Sequence, residues 1–320
     1  MRLALIGYGS VGKAFARLLA RKHSVYPFRI IGIHTARHGT AYDTHGLPLE
    51  PSFGPPAASV DEFLDRAQCD VALEITTLNP TDGEPAITHI RAAFERHVHV
   101  VTANKGPVAH AYSQLAAQAR LAGVEFRFES TVMDGTPVFN SVRNNLPGVL
   151  VTGFTGVLNS TSNVVLAAMA RGLSMEDGIR EAEALSITEA DVSFDLDGWD
   201  SAAKAAVLAN VLMDAHTTPH EVDRQGIGTI APDEALAAAR RGERFALISR
   251  GERNGNAVRL QVRPEVLAGG DLLAAATGTS NLLLLHTDLM GTIGSISVNP
   301  GVEQTAYGLL ADLVDIARSV

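Results

Sequence analysis

The sequence has little cysteine and few cations, and each shortage excludes a class of protein. Cys69 is the one cysteine in 320 residues, which excludes an intramolecular disulfide and a cysteine-ligated zinc site and is typical of the reducing cytoplasm. The 26 basic and 35 acidic residues give a formal net charge of -9, which argues against a nucleic-acid partner. No apolar run reaches the ~18 residues of a membrane span. We therefore expect a cytoplasmic protein without a nucleic-acid or membrane partner.

Lysine is the rarer of the two cations. Four of the 26 basic residues are lysines, namely Lys13, Lys22, Lys105 and Lys204. Arginine can supply a positive charge in place of lysine, but its pKa above ~12 prevents it from transferring protons near neutral pH. The few lysines are therefore the first residues to examine for acid–base chemistry.

A glycine-rich loop follows the first strand-like segment, Arg2–Ile6. The loop has the pattern G-x-G-x-x-G, and Val11, Phe15 and Leu18 then recur at helical spacing. Between a strand and a helix, this pattern provides a tight turn, room for a pyrophosphate and N–H groups at the helix N-terminus. An ordinary glycine-rich turn is the alternative. We predict a dinucleotide-binding loop formed by Gly7, Tyr8, Gly9, Ser10, Val11 and Gly12.

The residues after the second predicted strand, Phe28–His34, affect the choice between NAD and NADP. An NAD site usually has an acidic residue there, which binds the ribose hydroxyls, but none stands between Arg29 and Tyr42. Arg37 lies in this segment, and an arginine suits the 2′-phosphate of NADP, although a solvated loop residue is also consistent. We favour NADP as the cofactor and keep NAD as the alternative.

Polar residues follow two further predicted strands. Thr76 and Thr77 come after Asp70–Ile75, and Lys105 comes shortly after His97–Val101. Ligands of open α/β sheets bind beyond the carboxyl ends of the strands, so these three residues are predicted cofactor contacts. For Lys105, an exposed lysine at a turn is an equally good interpretation.

The order of the predicted elements indicates an α/β protein with two domains. Strands and helices alternate over residues 1–130, which predicts a Rossmann dinucleotide-binding domain. Over residues 131–298, strands are mixed with segregated helices, which predicts a second, α+β domain. The C-terminal segment, residues 299–320, is predicted to form a helix that packs back on the first domain.

A nearly apolar helix is predicted over Trp199–Met213. Two of its few polar residues, Asp200 and Lys204, are four residues apart and lie on one face of the helix. On a protein surface such a pair contributes only ~0.2–0.5 kcal/mol. On a buried helix an ammonium must be paired, and a lysine so placed is a candidate general acid or base. A structural ion pair is the alternative.

The stretch of residues 181–200 is strongly acidic. It contains no lysine, arginine or histidine and has seven carboxylates: Glu181, Glu183, Glu189, Asp191, Asp195, Asp197 and Asp200. A solvated acidic loop is the simplest interpretation. Residues 193–198 also match the start of a calcium-binding loop, but Lys204 occupies the twelfth position, where a glutamate ligand belongs, so we exclude calcium. The third interpretation is recognition of a small cationic group, such as a substrate ammonium.

Taken together, these motifs resemble the homoserine dehydrogenase family over nearly the whole chain. The matching segments are the glycine loop, residues 102–105, 156–163, 189–191, 195–204 and 300–301. The length matches the short family form, without an ACT domain. The resemblance implies NAD(P)-dependent interconversion of L-homoserine and L-aspartate 4-semialdehyde in the biosynthesis of threonine and methionine. It also implies that the second domain binds substrate and forms a homodimer.

The same resemblance assigns roles to individual residues. Lys204 is the implied acid or base at the substrate hydroxyl, and Lys105 and Asp200 are the other implied catalytic residues. Gly301 is expected to close over the cofactor. The implied substrate-binding residues are Glu189, Asp195, Asp200, Ser160 and Thr161.

The family resemblance further implies a site for a monovalent cation such as sodium, bound mostly through backbone carbonyls. The matching positions are Glu129, Val132, Asp134 and Thr136. Oxygen ligands of this kind suit a hard cation. The loop departs from a family pattern richer in glycine and alanine, and the added carboxylate of Asp134 can either strengthen the site or abolish its geometry.

Two departures from the family pattern lie at the implied substrate pocket. Ser160 replaces a glycine, and Ser186-Ile187-Thr188 replaces Gly-Tyr-Ala. They favour a second hypothesis, a related dehydrogenase acting on another small hydroxy acid or amino alcohol. A third hypothesis is a non-catalytic protein that binds NADPH, which the retention of Lys105 and Lys204 argues against.

Overall fold

The computed structural model describes residues 1–188, 191–255 and 257–319. The chain divides into two compact units. The first comprises Met1–Asn140 with Gly301–Val320, and the second comprises Ser141–Pro300. The boundaries predicted from the sequence lay at residues 130 and 298. Within the described residues, no helix combines the length and the apolar character needed to cross a membrane.

Strands and helices are numbered separately along the chain. The strands are Arg2–Ile6 (β1), Arg29–Thr35 (β2), Gly39–Tyr42 (β3), Val71–Glu74 (β4), His99–Thr102 (β5), Phe126–Arg127 (β6), Val151–Val157 (β7), Asp223–Arg224 (β8), Glu243–Asn254 (β9), Ala257–Ala268 (β10), Asn281–Thr287 (β11) and Gly291–Ser297 (β12). The α-helices are Ser10–Lys22 (α1), Val60–Ala67 (α2), Ala86–Glu95 (α3), Lys105–Ala122 (α4), Phe139–Asn145 (α5), Ser160–Ala170 (α6), Met175–Ala184 (α7), Ser193–Leu196 (α8), Trp199–Met213 (α9), Pro232–Arg240 (α10) and Val302–Ser319 (α11).

The first unit is built on one sheet with the strand order β3-β2-β1-β4-β5-β6. Its paired strands run parallel, except that β2 and β3 are antiparallel. In the central strands, residues 3–6 of β1 and residues 71–73 of β4 are buried and apolar, as expected for a sheet covered on both faces. The predicted dinucleotide-binding α/β fold is thus confirmed.

The register of this sheet brings three strand ends together. Ile6 is aligned with Glu74, and Glu74 is aligned with Thr102. The loops that follow β1, β4 and β5 therefore leave the sheet side by side. Helix α11 packs on α1, and Leu309 and Leu313 join the core around Phe15 and Leu18.

The second unit contains a mixed sheet with the order β12-β11-β7-β9-β10-β8. Its pairs are antiparallel apart from β8 with β10. Strands β9 and β10 pair over their whole length. The outer parts of this hairpin are largely exposed. Helix α9 has the bounds that the sequence predicted and packs on both strands.

Candidate active site

The glycine loop after β1 has the backbone that a dinucleotide site needs. Gly7 adopts a positive φ of 102°, and a Cβ there would lie 2.6 Å from the carbonyl oxygen of Ile75. A Cβ on Gly12 would lie 3.0 Å from the Ile75 side chain. By contrast, a Cβ on Gly9 would meet no atom within 4 Å. Gly7 and Gly12 therefore allow the chain to pack on itself, while Gly9 keeps an open face for a ligand.

Helix α1 begins at this open face. Its N-cap residue is Gly9, and no side chain caps the helix. Ser10 is exposed and Val11 is half-buried in the first turn. Uncapped N–H groups at a helix N-terminus attract phosphate, so the loop fits the pyrophosphate of a dinucleotide.

A cavity of about 420 Å³ lies beside the glycine loop. It is lined by Tyr8, Lys13, Arg17, His38, Leu49, Glu50, Pro51 and Phe53. The Tyr8 hydroxyl donates a 2.8 Å hydrogen bond to the Leu49 carbonyl, and burial raises the pKa of Tyr8. Arg37, the residue that the sequence favoured for a 2′-phosphate, is exposed in the turn between β2 and β3 and does not line this cavity.

The basic residues that line this cavity were not among the predicted cofactor contacts. Lys13 and Arg17 are one turn apart on α1, and His38 belongs to the turn after β2. The i, i+4 spacing of Lys13 and Arg17 was visible in the sequence. Their association with His38 depends on the long segment after β3, whose Phe53 ring contacts both Tyr8 and His38.

The other predicted cofactor contacts of the first unit follow β4 and β5. Thr76 is half-buried and Thr77 is exposed. Lys105 is the first residue of α4. Its N-cap is Asn104, whose side-chain oxygen accepts a 3.0 Å bond from the backbone of Gly106.

The predicted acid–base pair lies in the second unit. Lys204 is 15% exposed and its Nζ is 3.0 Å from Asp200 Oδ2, the carboxylate one turn earlier on α9. The same Nζ donates a 2.6 Å bond to the carbonyl oxygen of Leu158, at the end of β7. Helix α9 therefore directs a largely buried ammonium to the end of β7, and the predicted pairing of Lys204 with Asp200 on one helix face is confirmed.

Asn159 connects this pair to a second buried carboxylate. Its Nδ2 donates to Asp195 at 2.7 Å and to Asp200 at 2.9 Å, and both aspartates are at least 95% buried. Its Oδ1 accepts from the backbone of Ser162 and so caps α6. Two carboxylates and one ammonium leave this cluster net negative, which suits an ammonium group on a ligand. Asn159 belongs to the matching segment 156–163 but was not among the predicted site residues.

The remaining predicted substrate residues are placed differently. The Ser160 hydroxyl donates to the Thr279 carbonyl at 2.8 Å, and the Thr161 hydroxyl donates to the Ile187 carbonyl at 3.1 Å. Both residues begin α6 and tie it to neighbouring segments. Glu189 lies outside the described residues.

The predicted cation loop lies in the first unit, next to α11. Both carboxylate oxygens of Glu129 accept backbone N–H groups, from Val138 at 2.6 Å, Phe139 at 2.9 Å and Asn140 at 2.6 Å. Asp134 has a φ of 56° and accepts a 3.2 Å bond from the Thr305 hydroxyl. Both carboxylates therefore serve as hydrogen-bond acceptors within the first unit. Among the described residues, no group of three or more His, Cys, Asp or Glu side chains could hold a metal ion.

The remaining predicted positions of the first unit are two residues of the cation loop, Val132 and Thr136, and the predicted cofactor contact Gly301. Val132 follows a short 3-10 turn, Glu129–Thr131, and Thr136 donates its backbone N–H to the Met133 carbonyl at 3.0 Å. Gly301 precedes α11 and its N–H is bonded to the side chain of Gln304 at 3.0 Å.

Comparisons with known proteins agree over the full length. The family description "Homoserine dehydrogenase" matches residues 137–314, and "Homoserine dehydrogenase, NAD binding domain" matches residues 7–129. The chain is similar to an NAD(+)-dependent homoserine dehydrogenase of Pseudomonas canavaninivorans, at 35% identity over 99% of this chain and 96% of that protein.

Solved structures give the same result. A homoserine dehydrogenase from Thiobacillus denitrificans has a TM-score of 0.84 and 27% identity, covering 99% of this chain and 73% of that one. A hyperthermophilic archaeal homoserine dehydrogenase in complex with NADPH has a TM-score of 0.84 and 26% identity, covering 100% and 98%. The chain described here belongs to the homoserine dehydrogenase family.

Proposed function

We propose that this protein interconverts L-homoserine and L-aspartate 4-semialdehyde with a nicotinamide dinucleotide, as a step in the biosynthesis of aspartate-family amino acids. The observation that carries this proposal is the buried cluster of Lys204, Asp200, Asn159 and Asp195 in a chain of this family. The cluster combines an ammonium that can hold and transfer a proton with carboxylates that can bind the ammonium group of an α-amino acid.

The chemistry of the substrate residues follows from their charges. Lys204 has three N–H donors, of which one is directed to Leu158 and one to Asp200. The third can bond the substrate oxygen, hold its proton and polarise the carbonyl of the semialdehyde. Asp195, Asp200 and Glu189 are the proposed partners of the substrate ammonium. The bound nicotinamide supplies or accepts the hydride.

Lys105 and the first-unit loops are proposed to hold the cofactor. The glycine loop Gly7–Gly12 binds the pyrophosphate, and Thr76 and Thr77 contact the cofactor beyond β4. Lys105 is the proposed contact at the start of α4, and Gly301 the proposed contact from the C-terminal segment. The uncapped N-terminus of α1 and the open face of Gly9 support this assignment.

NADP is the proposed preferred form of the cofactor. Lys13 and Arg17 line the cavity beside the glycine loop and can neutralise a 2′-phosphate, and Arg37, which does not line the cavity, remains a further candidate for this role. Glu50 also lines this cavity, and the Pseudomonas relative is described as NAD(+)-dependent, so NAD is the second candidate.

The proposed cell compartment is the cytoplasm. A homodimer is proposed through the sheet of the second unit. Strand β12 is an edge strand with an exposed Ile296, and Met290, in the turn before it, is exposed as well. A second copy of the chain would cover these apolar side chains. The proposed monovalent cation is bound by backbone carbonyls of Glu129, Val132, Asp134 and Thr136.

The test is a panel of both cofactors against homoserine and its analogues, followed by the absorbance of the reduced nicotinamide. We expect turnover with homoserine. Turnover confined to another hydroxy acid or amino alcohol would support the second hypothesis, which the replacement of a family glycine by Ser160 favours. Binding of NADPH without any turnover would support a non-catalytic protein.

A further inference from the structure

A buried carboxylate lies at the carboxyl end of β4. Glu74 is the last residue of that strand and is 1% exposed. Strand β4 lies between β1 and β5, and Glu74 is aligned with Ile6 on one side and Thr102 on the other. Burial of a carboxylate is costly unless its oxygens accept hydrogen bonds, so a reason is needed for a glutamate at this position.

The oxygens of Glu74 bind the loops that follow β4 and β5. One oxygen, Oε1, accepts from the Thr76 hydroxyl and from the Thr76 backbone N–H at 3.3 Å. The Thr102 hydroxyl donates its one hydrogen to the Glu74 backbone carbonyl at 2.8 Å, and the other carboxylate oxygen, Oε2, lies 3.4 Å from the same hydroxyl. His89 Nδ1 lies 3.5 Å from Oε1. Glu74 thus holds the Thr76 loop through its carboxylate and the end of β5 mainly through its backbone carbonyl.

The network continues from Thr102 to the start of α4. The Thr102 hydroxyl oxygen accepts the backbone N–H of Asn104 at 2.9 Å. Asn104 Nδ2 lies 3.4 Å from the Thr76 carbonyl, and its Oδ1 caps α4 through Gly106. Displacement of Glu74 would therefore move both the Thr76 loop and the first residue of α4, Lys105.

We propose that Glu74 is a positioning residue for the nicotinamide cofactor. It fixes the Thr76 loop directly and fixes the N-terminus of α4 through Thr102 and Asn104. This role rests on the proposed function, which assigns Thr76, Thr77 and Lys105 to the cofactor. Glu74 itself touches neither cofactor nor substrate in this proposal.

The other end of β4 provides a matched control. Asp70 precedes the strand, and its carboxylate accepts bonds from the Arg2 backbone at 2.7 Å and from the Arg2 side chain at 2.6 Å. It also links neighbouring strands, but it lies at the amino end of β4, whereas the glycine loop lies at the carboxyl end of the sheet. Glu74→Gln and Asp70→Asn therefore each neutralise one carboxylate, at opposite ends of the same strand.

The experiment measures the Kd of NADPH and of NADH by fluorescence titration of both variants and of the wild-type protein. We expect the Kd of the tighter dinucleotide to rise about tenfold in Glu74→Gln and to stay within about twofold in Asp70→Asn. The KM of homoserine should change by less than about twofold, because the substrate residues belong to the second unit. A general loss of structure would instead raise the dinucleotide Kd and the homoserine KM together, which would overturn the specific role of Glu74.

A combined variant tests whether Glu74 acts through Thr76. The loss in Glu74→Gln with Thr76→Val should be close to the larger single loss, because both substitutions break the same contact. An unchanged dinucleotide Kd in Glu74→Gln, or fully additive losses, would overturn the role of Glu74. A wild-type protein that binds no nicotinamide dinucleotide would overturn the proposed function and this role with it.

A second variant keeps the test decisive where Glu74→Gln fails to fold. Thr102→Val preserves the shape of β5 and removes the hydroxyl that joins Glu74 to Asn104. It should weaken dinucleotide binding about fivefold at an unchanged far-UV circular dichroism spectrum. Full affinity in this variant would show that the network does not position the cofactor loops.

Discussion

Replacement of Lys204 by arginine separates the charge of this residue from its ability to transfer a proton. Lys204 is 15% exposed, with Asp200 at 3.0 Å and the Leu158 carbonyl at 2.6 Å from Nζ. An arginine keeps the positive charge that Asp200 requires and can donate to both acceptors, but its pKa prevents proton transfer. Removal of the cation by Lys204→Ala would be a poorer test, because the buried Asp200 carboxylate would lose its ion-pair partner at a cost of about 3 kcal/mol of stability.

The expected loss follows from what a positioned acid or base contributes. Such a group accelerates a reaction by ~10²–10⁴-fold, so kcat of Lys204→Arg with homoserine should fall about 1,000-fold. The Kd of NADPH, measured by fluorescence, should change by less than about twofold, because the cofactor loops lie in the first unit. Exposed Lys22, at the end of α1, provides the control, and Lys22→Arg should keep full activity.

The result that would refute this reasoning is specific. A Lys204→Arg enzyme that retains more than about half of the wild-type kcat would show that Lys204 supplies only charge. Proton transfer would then have to be assigned elsewhere, with Lys105 as the next residue to test.

Three further predictions concern single side chains. Burial raises the pKa of the Cys69 thiol to about 12 from its usual 9.0, which lowers the thiolate fraction at pH 8 about 1,000-fold. A thiol reagent should therefore label the protein only after unfolding, and rapid labelling of the native protein would contradict this. Glu129→Gln should lower the free energy of unfolding by about 2 kcal/mol in urea titrations, since three backbone N–H groups lose a charged acceptor, and an unchanged midpoint would show otherwise. Lys13→Ala should weaken NADP binding about fivefold and leave NAD binding and the Lys22→Ala control unaffected, whereas equal losses for both cofactors would exclude a 2′-phosphate contact.

The sequence predicted those parts of the fold and site that depend on short-range patterns. The glycine loop and α9 are each defined by residues within a few turns of one another, and both were predicted correctly. Lys204 and Asp200 were also paired correctly, because their spacing of four residues defines one helix face. In these cases local geometry alone determines which side chains meet.

Contacts between distant segments were not predictable in this way. Asn159 is 36 and 41 residues from the two aspartates that it joins, and no period in the sequence relates them. Likewise, Lys13 and His38 share a cavity because the long segment after β3 folds over the glycine loop. Arg37 is exposed in the turn after β2, and its contact with a 2′-phosphate stays a prediction.

The buried carboxylates differ in the kind of donor that they accept. The Glu129 carboxylate receives three backbone N–H groups at the start of α5, which are fixed by the fold and are not acids near neutral pH. Asp200 receives the Lys204 ammonium and the Asn159 amide. Of these donors only the Lys204 ammonium can transfer a proton, whereas amide and backbone N–H groups hold their acceptor in place. Glu74 accepts a backbone N–H and a hydroxyl from Thr76, and neither is an acid near neutral pH, which agrees with the proposed positioning role.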